Sequence, residues 1–236
     1  MSKTNEQRKG CKDIWNAFMC KGAKFGLYDI PLCPTTARTV PKSIVTWDEA
    51  KAIHKKNSHT NNDYRMDDYV CWYMDDYKFD GSKGIWNDCK KALDVLRHFS
   101  GVITPDFSTY QDFPEPLKIY NTYRMRAYGY WLGRKGISVI NNIRWGTYET
   151  YRYCFEGVEK NSVVAIGTCG GSPRKKEDRL RFEQGLDKLI NVLSPHTIIV
   201  YGSANYSCFE ALQKRDIRII AFKSKTAQAY EKRKKI

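Results

Sequence analysis

Five short apolar runs recur along the chain, each ending in a polar or glycine-bearing tip and followed by a charged, helix-like stretch. They are residues 101–106 (GVITPD), 137–145 (ISVINNIRW), 162–169 (SVVAIGTC), 197–203 (TIIVYGS) and 217–222 (IRIIAF). Runs of this length, rich in β-branched residues, read as buried strands, and their alternation with helical stretches is the pattern of βαβ units and a parallel sheet. Three further strands complete the reading, at about 25–30, 43–47 and 69–74, the last running directly into Asp75 and Asp76. The remaining strands then span about 101–105, 137–144, 162–168, 197–202 and 217–222.

Helical spacing falls between them. Asp48–Lys56 has acids in its first turn and cations in its last, as the helix dipole favours. Ala92, Leu93, Leu96 and Phe99 share one face, and Phe182, Leu186, Leu189, Ile190 and Leu193 mark another helix, ended by Ser194-Pro195. Pro114 and Pro116 precede a third, over about 117–132. Eight strand–helix units in 236 residues predict a compact (β/α)8-barrel-like parallel sheet. The alternative is an open Rossmann-like sheet of five or six parallel strands. The expected organisation is a basic arm over 1–24, with a short helix near 14–19, one α/β domain over 25–223, and a basic tail over 224–236.

Net charge is +14 and is unevenly spread. The last 23 residues, Lys214–Ile236, carry nine Lys/Arg and two acids, and residues 118–135 carry five cations and no acid. A basic surface suits a polyanion, with nucleic acid the first expectation and solubility alone the competing account. No apolar stretch approaches the ~20 residues of a membrane span, and no signal-like region follows Met1, so a cytoplasmic setting is expected. The eight cysteines form no Cys-x-x-Cys pair, which favours reduced, mostly buried thiols, although Cys11, Cys20 and Cys33 leave a metal site open.

Residues 72–79 (WYMDDYKF), 101–108 (GVITPDFS), 119–124 (IYNTYR), 143–146 (IRWG) and 200–203 (VYGS) together carry a resemblance. Over about residues 25–223 the chain resembles a family of bacterial, phage and mobile-element proteins catalogued only as a domain of unknown function. The resemblance implies a mobile-genetic-element setting. It implies no activity, cofactor or catalytic residue.

Four constellations carry candidate chemistry. Asp75, Asp76 and Asp106 stand at strand ends, where carboxylates can converge on Mg²⁺ or Mn²⁺ and act with Arg144 on a phosphodiester. The structural account is that Asp76 or Asp106 caps the next helix. Asn142, Arg144 and Trp145 follow a buried strand, with Asn142 and Arg144 expected on one side and Asn141 on the other. There Arg144 can hold a phosphate while Trp145 stacks on a base, or Arg144 can form an internal salt bridge to a strand-end aspartate. Gly170, Gly171, Ser172, Arg174 and Lys175 form a glycine-rich turn able to present N–H groups to an anion, with Ser203 extending that surface. Arg124, Arg126 and Tyr128 lie in an aromatic–arginine stretch suited to single-stranded nucleic acid.

The leading expectation is therefore a nucleic-acid-binding protein of a phage or mobile element. If it is an enzyme, this reading makes it a divalent-metal-dependent nuclease or phosphodiesterase-like hydrolase. Two alternatives stand beside it. One is an enzyme acting on a nucleotide or other phosphorylated small molecule at the strand C-terminal rim, and the other is a non-enzymatic factor binding DNA or a host protein.

Overall fold

The computed structural model describes residues 13, 15–61, 63–169 and 176–234, excepting the side chain of Lys232. Seven strands form one all-parallel sheet: β1 (Ile44–Thr46), β2 (Met66–Cys71), β3 (Phe99–Ile103), β4 (Ser138–Asn142), β5 (Val163–Gly167), β6 (Thr197–Tyr201) and β7 (Arg218–Phe222). Each strand lies beside its predecessor in the chain, so the order runs β1 to β7 without a reversal. A doubly wound sheet would reverse. The sheet curls into a half-barrel instead, as the barrel expectation required.

The helices are α1 (Trp47–Asn57), α2 (Cys89–Leu96), α3 (Glu115–Arg134), α4 (Lys176–Leu193), α5 (Ser207–Gln213) and α6 (Lys225–Lys234). Strand alternation divides the core. On β2 and its continuation, Tyr69, Cys71 and, two residues beyond the strand, Tyr73 point into the curl, where they meet Ile103, Ile140, Ala165, Ile199 and Tyr201. Val70 and Trp72 point outward, into the layer that packs on α2 and α3. The apolar stripe of α4 covers the outer face of β5 and β6, each buried leucine or phenylalanine contributing about 1.5–3 kcal/mol before entropy is counted.

Residues 33–37 close the amino-terminal end of the curl. Thr36 N–H donates to Val139 O at 3.0 Å, Val139 N–H donates to Thr36 Oγ1 at 2.9 Å, and Asn141 Nδ2 donates to Cys33 O at 2.8 Å. These bonds occupy β4 groups that would otherwise reach β5, so β4 and β5 pair only at Asn141–Val164 and Asn142–Ala165. Asn141 and Asn142 thus point to opposite sides, as alternation requires.

Two expectations are corrected, and the tail gains an element. Residues 25–30 are not a strand; they form a turn closed by an antiparallel bridge from Phe25 to Pro31, with Asp29 left-handed at φ 59°. The helix expected near 14–19 is a 3₁₀ turn, Ala17–Cys20, whose Met19 and Cys20 are core residues. The basic tail contains an ordered helix, α6.

α3 crosses the sheet closely because Gly129 has no Cβ. A methyl there would run into Thr104 Cγ2 and Cys33 Sγ, both on short, buried side chains. Alanine would add about 1 kcal/mol of helix propensity, but overpacking costs about 1–3 kcal/mol. Gly129→Ala should therefore lower the urea midpoint, and a midpoint at or above wild type would refute this packing account.

Candidate functional site

Parallel strands deliver their following residues to one rim, and here that rim carries a buried polar network. Beyond β3, Thr104 N–H donates to Ile140 O at 2.9 Å and Thr104 Oγ1 accepts from Asn142 N–H at 2.8 Å. The ladder thereby continues past the strand and places Asp106 against Asn142. Asn142 Nδ2 donates to Asp106 Oδ1 at 2.8 Å, and Arg144 Nη1 donates to Asp106 Oδ2 at 3.1 Å. Tyr73 Oη donates to Asn142 Oδ1 at 2.9 Å and stacks on Tyr201, with ring centroids 5.0 Å apart.

The electrostatics follow from burial. The side chains of Arg144 and Asp106 are 16% and 10% exposed. Burial pushes the Asp106 carboxyl above its ordinary range, against the opposing pull of Arg144 and the Asn142 amide. Asp106 in turn holds Arg144 more firmly protonated, and burial drives the Tyr73 phenol well up.

Two cavities meet at Arg144. One, about 620 Å³, is the mouth of the curl, lined by Tyr73, Asp75, Asp106, Ser108, Cys169 and Tyr201 among others. The second, about 390 Å³, lies between Trp145, Gly146, Arg181 and Phe182. Tyr110 lines both and is 46% exposed. It lies 5.6 Å from the Arg144 guanidinium.

The acidic expectation divides. Asp75 and Asp106 share the mouth with Arg144. Asp76 lies behind it, accepting from Ser108 N–H at 3.0 Å and Ser108 Oγ at 2.8 Å. Asp75 pairs with Lys78 at 2.9 Å. The carboxylates are thus each engaged elsewhere, and among the described residues no three His, Cys, Asp or Glu side chains gather to hold a metal ion. The described residues therefore gather no ready ligand set for Mg²⁺ or Mn²⁺. Nor does Asp106 cap a helix, since the next one begins at Glu115. The internal salt bridge weighed for Arg144 is the arrangement found.

Arg124, Arg126 and Tyr128 are buried, which corrects their reading as surface groups. Arg124 Nη1 donates to both Asp80 carboxylate oxygens, at 2.9 and 2.7 Å, and the guanidinium lies over the Phe107 ring at 3.8 Å. Arg126 donates to the carbonyls of Glu156, Asn142 and Cys154. Tyr128 belongs to the outer core.

Trp145 packs on Phe182 at 5.4 Å while lining the smaller cavity. Ser203 is exposed, and its carbonyl accepts from the Thr168 hydroxyl at 2.9 Å. Gly170, Gly171, Ser172, Arg174 and Lys175 lie outside the described residues, as does Cys11. Cys20 and Cys33 are buried thiols, pushed by burial to about 11 and about 12.

Sequence reasoning missed Tyr73, Tyr110 and Ser108, and it took Lys225 and Arg233 only as part of the basic stretch Lys214–Ile236, not as α6 residues that wall the mouth with Tyr230. For Tyr73 a signal existed: it falls two residues beyond Cys71 on the inward alternation of β2.

Fold and site define a parallel α/β half-barrel protein with a polar cavity at its carboxyl-terminal rim. Within that class, the chain belongs to the family described as Domain of unknown function (DUF4417), which matches residues 23–223. It is 29% identical over 180 residues to the Gene 1 protein of Mycobacterium phage D29, covering 76% of this chain and 62% of that relative. It is 30% identical over 180 residues to the Gene 1 protein of Mycobacterium phage L5, covering 76% and 73%. The chain thus spans less than two thirds of the length of the D29 protein. No solved structure matches it. Among the described residues no helix is long and apolar enough to cross a membrane.

Proposed function

We propose that the protein binds nucleic acid and seats one phosphorylated nucleotide unit in the mouth of the half-barrel, against Arg144. The observation that carries this reading is the state of the guanidinium. One of its N–H groups is fixed by Asp106 at 3.1 Å, and it lines both rim cavities. Its Nε and second terminal nitrogen have no hydrogen-bond partner among the described residues. A pre-oriented guanidinium with free donors is well suited to a phosphate. Net charge of +14 favours a polyanion over an isolated small ligand. Tyr110, exposed beside Arg144, offers a stacking face for a base. In this arrangement Asp106 and Asn142 are positioning residues that fix Arg144 and Tyr73.

A free nucleotide or other phosphorylated small molecule is the second reading, favoured by cavities of about 390 and 620 Å³, which fall in the small-molecule range. The described carboxylates lend no support to metal-dependent cleavage.

The test is anisotropy with a labelled oligothymidylate. Arg144→Gln should weaken binding about tenfold or more, and Arg144→Lys should recover only part of it because an ammonium lacks the planar fork. Lys90→Gln removes an exposed charge from α2 and should change affinity little. Equal effects of Arg144→Gln and Lys90→Gln would sink the proposal. A mononucleotide that competes as tightly as the oligonucleotide would move the reading to the small ligand.

A further inference from the structure

The half-barrel leaves its mouth open between the ends of β1 and β7, and α6 lies across that opening. Its first turn is tied down: Lys225 N–H donates to the Tyr201 hydroxyl at 3.2 Å, and Lys225 Nζ lies 3.8 Å from Glu49, at the start of α1. One face of α6, with Lys225, Thr226, Ala229, Tyr230 and Arg233, then lines the mouth cavity. These positions are spaced by three or four residues, as one helical face demands. The family match ends at residue 223, immediately before this helix.

The charges around the mouth do not cancel. Each acid in its wall already has a cation: Asp48 has Lys51 at 3.0 Å, Asp75 has Lys78 at 2.9 Å, and Asp106 has Arg144 at 3.1 Å. Lys225 is only loosely matched, because the Glu49 carboxylate also accepts from the Thr46 N–H and hydroxyl at 2.8 and 2.7 Å. Arg233 forms no ion pair among the described residues. The surplus positive charge of the wall therefore sits on α6. Lys225 and Arg233 are eight residues apart, about 12 Å along the helix axis, too far to serve one phosphate.

We infer that α6 is part of the binding site: Lys225 and Arg233 contact phosphates of the strand on either side of the unit held by Arg144. This rests on the nucleic-acid reading of the mouth and extends it to an element beyond the family domain. It makes the bound ligand a strand of several nucleotides rather than a single nucleotide, since the three cations are spread across the opening.

The experiment uses the full chain carrying Lys225→Ala and Arg233→Ala together, with Lys234→Ala as a control from the same helix that does not line the mouth. Oligothymidylate binding is measured over a salt series. Loss of two phosphate contacts should make the log–log salt dependence shallower by about 1.4, at about 0.7 per contact for a single strand. Affinity at low salt should fall about tenfold while the melting temperature stays at the wild-type value. The Lys234→Ala protein should keep the wild-type slope.

A double variant that binds like Lys234→Ala, or more tightly than wild type, overturns the inference; the second result would make α6 an obstruction. If Arg144→Gln weakens binding and the double variant does not, the inference alone fails. If neither weakens it, both the inference and the mouth reading fail. If only the double variant does, the strand binds outside the mouth and the inference fails with the reading it rests on.

Discussion

Replacing Arg126 with alanine should destabilise the protein by about 4 kcal/mol or more, a large share of the roughly 5–15 kcal/mol that holds an ordinary domain folded. Arg126 is fully buried on α3. Among the described residues it pairs with no carboxylate; its guanidinium donates instead to Glu156 O at 3.1 Å, Asn142 O at 2.9 Å and Cys154 O at 3.0 Å. Burial lowers its pKa to about 10, so the arginine stays charged at neutral pH, at a cost that the three carbonyls offset. Alanine would leave all three carbonyls without a donor, at about 1–3 kcal/mol each, and would add a cavity. Lysine, with three donors but no planar fork, should recover part of the loss. Urea unfolding checks this order, and an alanine variant within about 1 kcal/mol of wild type would show that the carbonyls find other partners. The consequence reaches the rim, because Asn142 offers its carbonyl to Arg126 and its side chain to Asp106.

Arg126 also shows where sequence reasoning stops. Cations interleaved with aromatics usually mean surface, and positions 124 and 128 share one face of the helix while 126 points to the opposite one. α3 is covered nearly all round because distant segments lie on it: the turn at Ala17–Cys20 packs against it, and residues 154–156 supply carbonyls. Periodicity reveals which faces a helix has, not what arrives later in the chain to cover them. β3 to β7 were legible because β-branched runs bounded by polar tips have few other uses. The failure at 25–30 has the opposite cause. Its apolar content outweighed turn chemistry that was present in Gly26, Asp29 and Pro31.

At the site, sequence placed Asp75, Asp76, Asp106, Asn142 and Arg144 on one rim, and they are on one rim. What each carboxylate touches depends on loop conformation after the strand, where a single residue of phase decides between Ser108, Lys78 and Arg144. A tandem acid at a strand end therefore marks a location and leaves its chemistry open.

Asp106→Asn should abolish a pH dependence whose sign is unusual for an aspartate. The Asp106 pKa is raised in the folded protein, chiefly by burial, above the unfolded value of about 3.9. Between those two values the native state binds more protons than the unfolded state, so stability falls as pH rises. This contribution is fully present below the unfolded pKa and is lost as pH climbs through the folded one. The stability of wild type minus that of Asp106→Asn should therefore decline from about pH 4 upward and level off above the folded pKa. A difference that grows with pH would mean that Arg144 outweighs burial and the folded pKa is depressed. Binding adds a second readout. The ionised carboxylate competes with a phosphate for Arg144, and protonation removes that competition. Affinity for an oligothymidylate without a terminal phosphate, whose charge is constant over this range, should therefore rise as pH falls through the Asp106 pKa. Asp106→Asn should bind more tightly than wild type at neutral pH and lose the pH dependence due to this group. Asp106→Ala is different again: it removes the group that orients Arg144 and leaves a largely buried charge alone, at about 3–5 kcal/mol of stability. A pH-independent wild-type affinity, with Asp106→Asn no tighter, would mean that the strand does not meet Arg144 beside Asp106.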